Sequence, residues 1–219
     1  MNLNFQGAIE NLPFILQGIS TTLTLVLASI ICGVVLGMLL SLAKLSKNKF
    51  LSALTTVYIS IFRGTPLVLQ LVLIYFGLPQ MFGIDLGSYG SAILALSLNS
   101  AAYVSEIIRS GIMAVDKGQT EAAEALGVPY SKMMKNIILP QAIKNILPAL
   151  INEFTALTKE SAIVTVVGTA DIMRRSQMVA AQTFLYFETL LIAGAIYYVI
   201  VTVISFIGKT VERRLSVSG

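Results

Sequence analysis

Few side chains in this sequence are equipped for chemistry, and most of those lie in apolar surroundings. Glu153 is a carboxylate inside a hydrophobic run, with no Lys or Arg within one helical turn of it. A charge so placed is costly in a membrane and faces a partner, a cavity or a ligand. It reads either as one half of a cross-helix ion pair or as the counter-ion of a cationic substrate. Asn99 lies near the middle of another apolar run. It reads either as hydrogen-bond glue between helices or as a cavity residue. Glu106 and Arg109 are three apart and share a helical face, the spacing of a local ion pair. Arg63 stands directly before Gly64-Thr65-Pro66, either paired with an acid on a neighbouring helix or in contact with substrate. Asp171, Arg174 and Arg175 open a polar stretch running to Gln182, either a solvated interfacial helix or else an outer gate or protein contact. All of these groups recognise charge; none forms a nucleophile-and-base set. The chain has no histidine, the commonest general base and metal ligand. Its one cysteine, Cys32, sits in an apolar run and reads as a packing or lipid-facing residue. A G-x-x-x-x-G-K-[ST] phosphate loop is absent, so no catalytic residue and no metal or nucleotide ligand is assigned.

The elements that position these residues are membrane spans. Hydrophobic residues make up 56% of the chain and charged residues 12%, against about 25% charged in soluble domains. The length fits one all-α membrane domain over 1–219, with its core at about 15–212. Five spans are expected. The first runs from Gly18 to Ala43 and carries Gly33 and Gly37 at the G-x-x-x-G spacing that allows close helix approach. The second runs from Leu51 to Leu78 and is interrupted by Arg63-Gly64-Thr65-Pro66, where Pro66 removes a backbone donor. A broken helix at that depth belongs beside a cavity or inside protein. The third runs from Ser91 to Ala114 and the fourth from Ile137 to Thr158, the latter interrupted by Pro140 and Pro148. The fifth runs from Phe184 to Gly208, and Ile163–Gly168, too short to cross, reads as a re-entrant or interfacial piece. Residues 1–14 contain no Lys or Arg, so no cleaved signal peptide is expected. Lys44, Lys47 and Lys49 mark one cytoplasmic side, and Lys209, Arg213 and Arg214 another. The N-terminus is then outside and the C-terminus inside. The net charge of +4 belongs to these loops; no basic stripe with interleaved aromatics points to nucleic acid.

The cytoplasmic loop, about 116–136, holds a third kind of site. Glu121 to Leu126 are strong helix formers, followed by Gly127 and Pro129 as stop signals. Ala122, Ala123 and Ala125 give this short helix a small-residue surface that suits a groove on another protein.

The order Glu121-Ala122-Ala123, three residues, Gly127, nine residues, Ile137-x-Leu139-Pro140 resembles the E-A-A loop of ABC importer permeases. Arg63-Gly64-Thr65-Pro66-Leu67 with Gln70 and Tyr75-Phe76-Gly77-Leu78-Pro79 is similar to the second span of the polar amino acid permeases. Leu98-Asn99-Ser100-Ala101-Ala102-Tyr103 with Glu106, Arg109 and Gly111 is similar to their third span. The resemblance covers about residues 15–212. It implies a type I importer permease in a prokaryotic cytoplasmic membrane, taking up polar amino acids. It also implies ATPase subunits docked on Glu121, Ala122, Ala123 and Gly127, a second permease copy (identical or a sister chain) and an extracellular binding protein. ATP and Mg would bind the ATPase, and this chain would hold no cofactor. The substrate is expected near Asn99 and Glu153, with Lys159 or amides beside Ser161 meeting its carboxylate, as helix N-termini do. Arg63, Pro66, Asp171 and Arg174 are expected to gate or support the pathway. The alternative is an ion-coupled secondary transporter using Glu153, although no internal repeat is evident.

Overall fold

The computed structural model describes residues 3–217, with side chains as far as residue 213. Short helices α1 (Gln6–Glu10) and α2 (Leu12–Leu16) lead into the long α3 (Gly18–Lys44). Next come α4 (Lys49–Gly64), α5 (Leu67–Phe82) and α6 (Gly87–Met113). The helices α7 (Lys117–Ala125) and α8 (Tyr130–Met133) follow, then a π-helical turn at Met134–Ile138 and α9 (Leu139–Glu160). A 3-10 turn at Ser161–Val167, α10 (Ile172–Thr183) and α11 (Tyr186–Val217) complete the chain. Arg214 lies within α11, but its side chain is outside the described residues.

Local chemistry sets several of these boundaries. The Asn48 side chain accepts from the amides of Phe50 and Leu51 at 3.0 and 3.3 Å, capping α4. Asp116 caps α7 through the Gly118 amide at 2.6 Å, and Asp171 caps α10 through the Arg174 amide at 2.8 Å. Gly83 closes α5 in the left-handed region.

The expected interruption at Arg63–Pro66 is present and is sharper than a kink. Thr65 is extended, as a residue before proline prefers, and Pro66 starts the next helix. α4 and α5 meet at a bend of 106°. The two interruptions expected in the fourth span do not occur. Pro140 sits in the first turn of α9, where its missing amide costs little, and the π turn before it gives the ring room. Pro148 lies inside α9, and the helix runs on through it.

Leu12–Lys44, Gly87–Met113 and Tyr186–Arg213 are each long and apolar enough to cross a membrane, and α4 with α5 qualify as a bent pair. α9 is 22 residues long but is not among them, because Lys144, Asn145, Asn152 and Glu153 dilute its apolar character. By length and composition the five expected crossings are therefore three helices and one bent pair.

α6 is the centre. Its most apolar window is 61% buried, against 6% for α11, which lies at the edge of the chain and packs only one side against α9 and α10. The G-x-x-x-G pair is used inside the chain. A Cβ at Gly33 would lie 2.9 Å from Ser100 Cβ, and one at Gly37 would lie 2.7 Å from Val104 Cβ. α3 and α6 therefore touch almost backbone to backbone along that face. Leu25, Val26, Leu71, Ala95, Leu96 and Leu157 fill the core beside this seam.

Candidate functional site

The Glu121 segment is built by local rules. Gly127 adopts φ +68°, which a side chain would strain. Its amide donates to the Glu124 carbonyl at 2.9 Å, and the Val128 amide donates to the Ala123 carbonyl at 2.9 Å. These two bonds form a Schellman turn and satisfy carbonyls at the end of α7. Ala123 is buried on a satellite core of Val115, Met133, Ile138, Ala142 and Ile146, which ties α7 to the start of α9. Glu121, Ala122 and Gly127 face outward. The alanine surface is thus split, with Ala123 serving the chain itself while Ala122 and Ala125 remain exposed. Two residues that the motif reading missed complete the outer face: Leu126 is 82% exposed and Tyr130 71% exposed. Leu126 carries a signal in the sequence, because a leucine just before a left-handed glycine closes an otherwise polar helix; Tyr130, on α8, carries none.

The intramembrane polar residues divide among three places. Ser100, on α6, donates its hydroxyl to Glu153 Oε1 on α9 at 2.8 Å. The second Glu153 oxygen has no partner among the described residues and is not sealed from the surroundings. No cation pairs with Glu153 among the described residues, so of its two readings the cross-helix ion pair is not formed there.

Asn99 lies one residue away but faces another helix. Its amide donates to the Phe62 carbonyl at 3.2 Å and to Gln70 Oε1 at 3.0 Å. Gln70 in turn donates to the Phe62 carbonyl at 2.8 Å and to Thr65 Oγ1 at 2.9 Å. Asn99 and Gln70 together satisfy the backbone freed at the α4–α5 bend, and this is the glue rather than the cavity arrangement. Pro66 stands at the bend itself. Arg63 has no acid partner among the described residues; its guanidinium lies 5.2 Å over the Tyr103 ring instead.

Lys159 is exposed and Ser161 is buried at the end of α9. The Ser161 hydroxyl donates to the Thr158 carbonyl at 2.8 Å, and its amide bonds the Leu157 carbonyl. The helical backbone runs directly into the 3-10 turn, so no free helix N-terminus opens beside Ser161 and the expected amide site does not form.

Asp171 is fully buried, not solvated. It caps α10 and accepts from the Tyr197 hydroxyl of α11 at 3.0 Å. Burial pushes its carboxyl above the usual range, and these hydrogen bonds pull it back. Arg174 donates its amide to this cap. Arg175 bonds Gln17 at 3.0 Å and lies 4.7 Å over the Phe14 ring, fastening the N-terminal helices to α10. The expected solvated helix is therefore solvated on one face only: Asp171, Ile172, Ser176, Val179 and Ala180 are buried, while Met178 and Gln182 stay exposed. Glu106 pairs with Arg109 at 2.9 Å as expected, and also with Lys44 of α3, one of the lysines that mark the cytoplasmic side.

Three comparisons bear on this arrangement. The family model for binding-protein-dependent transport system inner membrane components matches residues 29–217. The arginine transport system permease protein ArtQ of Bacillus subtilis (strain 168) is 58% identical over 215 residues, 98% of each chain. The putative glutamine transport system permease protein GlnP of Rickettsia conorii is 50% identical over 205 residues, 94% of each chain. A solved amino acid ABC transporter with histidines superposes with a TM-score of 0.93 at 44% identity, covering 98% of this chain and all of that one. The inward-facing MetNI methionine ABC transporter shares the fold, with a TM-score of 0.78 at 20% identity.

Proposed function

The chain belongs to the family of binding-protein-dependent transport system inner membrane components, and from that premise we propose how it works as the permease of an amino acid ABC importer. Glu121 to Gly127 is the helix that docks on a separate ATPase subunit. The observation that carries this reading is the exposure of Ala122, Ala125, Leu126 and Tyr130, with Ala123 buried in the satellite core beneath and a Schellman turn closing the helix. ATP and Mg are bound and hydrolysed by that partner, and this chain contributes no covalent chemistry. Two permease copies, identical or paired with a sister chain, close one pathway, and an extracellular binding protein delivers substrate. The chain crosses a prokaryotic cytoplasmic membrane five times, counting α9 as a crossing whose polar side faces the pathway, with its N-terminus outside. The ion-coupled alternative finds no support in these relationships.

The substrate is a polar, preferentially cationic amino acid. Glu153 offers an unpaired carboxylate oxygen on α9 with no competing cation among the described residues. Asn99, held at the α4–α5 bend, shapes the wall and does not contact the substrate, while Arg63 and Pro66 brace the same bend. Asp171 and Arg174 anchor α10 on the outer side, and Lys159, exposed beside Glu160 at the outer end of α9, can meet a carboxylate.

The test is ATP-dependent uptake in proteoliposomes containing this chain, its ATPase and its binding protein. Arginine, glutamine and glutamate are compared in the wild type and in Glu153→Gln. The expected result is ATP-dependent uptake that favours arginine and loses that preference in the variant. Uptake driven by an ion gradient without ATP would overturn the importer reading; an unchanged preference in the variant would overturn the role of Glu153.

A further inference from the structure

Ser100 differs from the other small polar residues of α6. It is fully buried, and its hydroxyl reaches a side chain 53 residues away on a different helix. Nearby Ser97 and Ser105 are buried with hydroxyls that meet no partner among the described residues. The close approach of α3 fixes where Ser100 sits: a Cβ on Gly33 would come within 2.9 Å of the Ser100 Cβ and 3.0 Å of its Oγ. The bare Gly33 backbone therefore leaves just enough room for Ser100 against α3, a larger residue there would collide with it, and the hydroxyl bonds across to α9. There it occupies one oxygen of Glu153 and leaves the other open.

A carboxylate on a flexible side chain recognises a cation well only when its rotamers are held, because ordering it on binding costs free energy. A hydrogen bond to an ionised acceptor is among the stronger single contacts available for that purpose. We propose that Ser100, backed by Gly33, is a positioning residue that aims the free oxygen of Glu153 at the cationic end of the substrate and so sets selectivity for charge. The inference rests on the reading of Glu153 given above and adds a residue to it. Ser100 itself does not touch the substrate. A neutral isostere of the same shape gains nothing from an aimed carboxylate, so Ser100 governs the ratio of affinities and leaves the rest of the cycle alone.

The experiment uses the assembled permease–ATPase complex, purified without the binding protein so that selectivity belongs to the membrane site. Binding of arginine and of citrulline, its neutral isostere, is measured by scintillation proximity for wild type, Ser100→Ala, Glu153→Gln and the double variant. Basal ATPase rate and thermal midpoint are recorded for each. In Ser100→Ala the arginine-to-citrulline ratio is expected to fall about tenfold, the scale of one charge-assisted hydrogen bond. Citrulline affinity, ATPase rate and midpoint should stay unchanged. Glu153→Gln should abolish the ratio, and adding Ser100→Ala to it should have no further effect. Should Ser100→Ala fail to assemble, Ser100→Cys keeps the volume with a weaker donor and should give a smaller fall in the ratio. Full arginine preference in Glu153→Gln would remove the reading on which the inference rests. A lost preference in Glu153→Gln with an unchanged ratio in the Ser100 variant would overturn the inference and leave Glu153 standing. An equal fall in arginine and citrulline binding with a lowered midpoint would make Ser100 a packing residue only, and would overturn the inference too.

Discussion

The docking segment and the Glu153 site are built in opposite ways. Every bond that shapes the first spans a few residues: Asp116 to Gly118, Gly127 to Glu124, Val128 to Ala123. Its recognition face is exposed, so it can change without disturbing what lies beneath. The second is assembled from three helices that meet only after the chain has folded. Gly33 on α3 backs Ser100 on α6, and Ser100 holds Glu153 on α9. A partner-binding lever needs a rigid local frame and a free surface. A ligand site in a membrane needs a partly satisfied charge that only tertiary structure can hold. Substitutions on the docking face should therefore uncouple function from stability, and those that part the α3–α6 seam behind Ser100 should not.

The largest expected effect is functional. Leu126→Asp places a charge on the most exposed leucine of the docking face, 82% open. Burying an unpaired carboxylate against a partner costs several kcal/mol. ATPase retained on the purified permease should drop more than tenfold, and uptake should fall with it. The thermal midpoint of the isolated permease should not move, since exposed substitutions usually stay within about 0.5 kcal/mol. A lowered midpoint would show that the segment is part of the fold and would break the contrast.

This division also explains what the sequence reveals. The Glu121 helix, its stop at Gly127 and the break at Arg63–Pro66 follow from propensity, glycine and proline, and all can be read along the chain. The first long helix, read as Gly18–Ala43, lies at Gly18–Lys44 for the same reason. Pro148 misleads because a proline inside a helical run reads as a break, yet α9 continues through it. Glu153 is conspicuous as an isolated acid, whereas Ser100 is not, because a serine among small residues signals nothing until Gly33 and Glu153 flank it. Asn99 and Ser100 are neighbours in sequence yet about 100° apart around a helix. One therefore serves the α4–α5 bend and the other α9. Asp171 read as solvated because its partner, Tyr197, is 26 residues away on another helix. Lys44 read as a loop charge because Glu106 is 62 residues away.

The next effect is on stability. Gly37→Leu drives a side chain into Val104, whose Cβ lies 2.7 Å from the position of the new Cβ. Overpacking of this kind costs about 1–3 kcal/mol, and here it should part α3 from α6. Gly194→Ala on α11 is the control, because nothing lies within 4 Å of the added methyl. That change should be neutral or stabilising by up to about 1 kcal/mol, as alanine is the better helix former. Thermal unfolding in detergent should lower the midpoint for Gly37→Leu and hold or raise it for Gly194→Ala. Equal behaviour of the two would mean that shape at the α3–α6 seam does not hold the centre of the molecule.

The smallest effect sharpens the same point. Lys44 joins α3 to α6 through Glu106, at the end of the seam that Gly37 packs. Both side chains keep access to solvent, 20% and 18% exposed, and Arg109 shares the same carboxylate. Such a pair is screened, and its loss in Lys44→Ala should cost below about 1 kcal/mol. The difference between wild type and variant should shrink further in about 1 M salt, where the screening length falls to roughly 3 Å. Arg109 remains to neutralise Glu106, so no bare acid is left behind. A loss as large as that of Gly37→Leu, and independent of salt, would mean that charge rather than close backbone contact fastens α3 to α6. The seam behind Ser100 would then be tied at its end by Lys44 and Glu106, and the aim of the Glu153 carboxylate would depend on that pair as well as on Gly33.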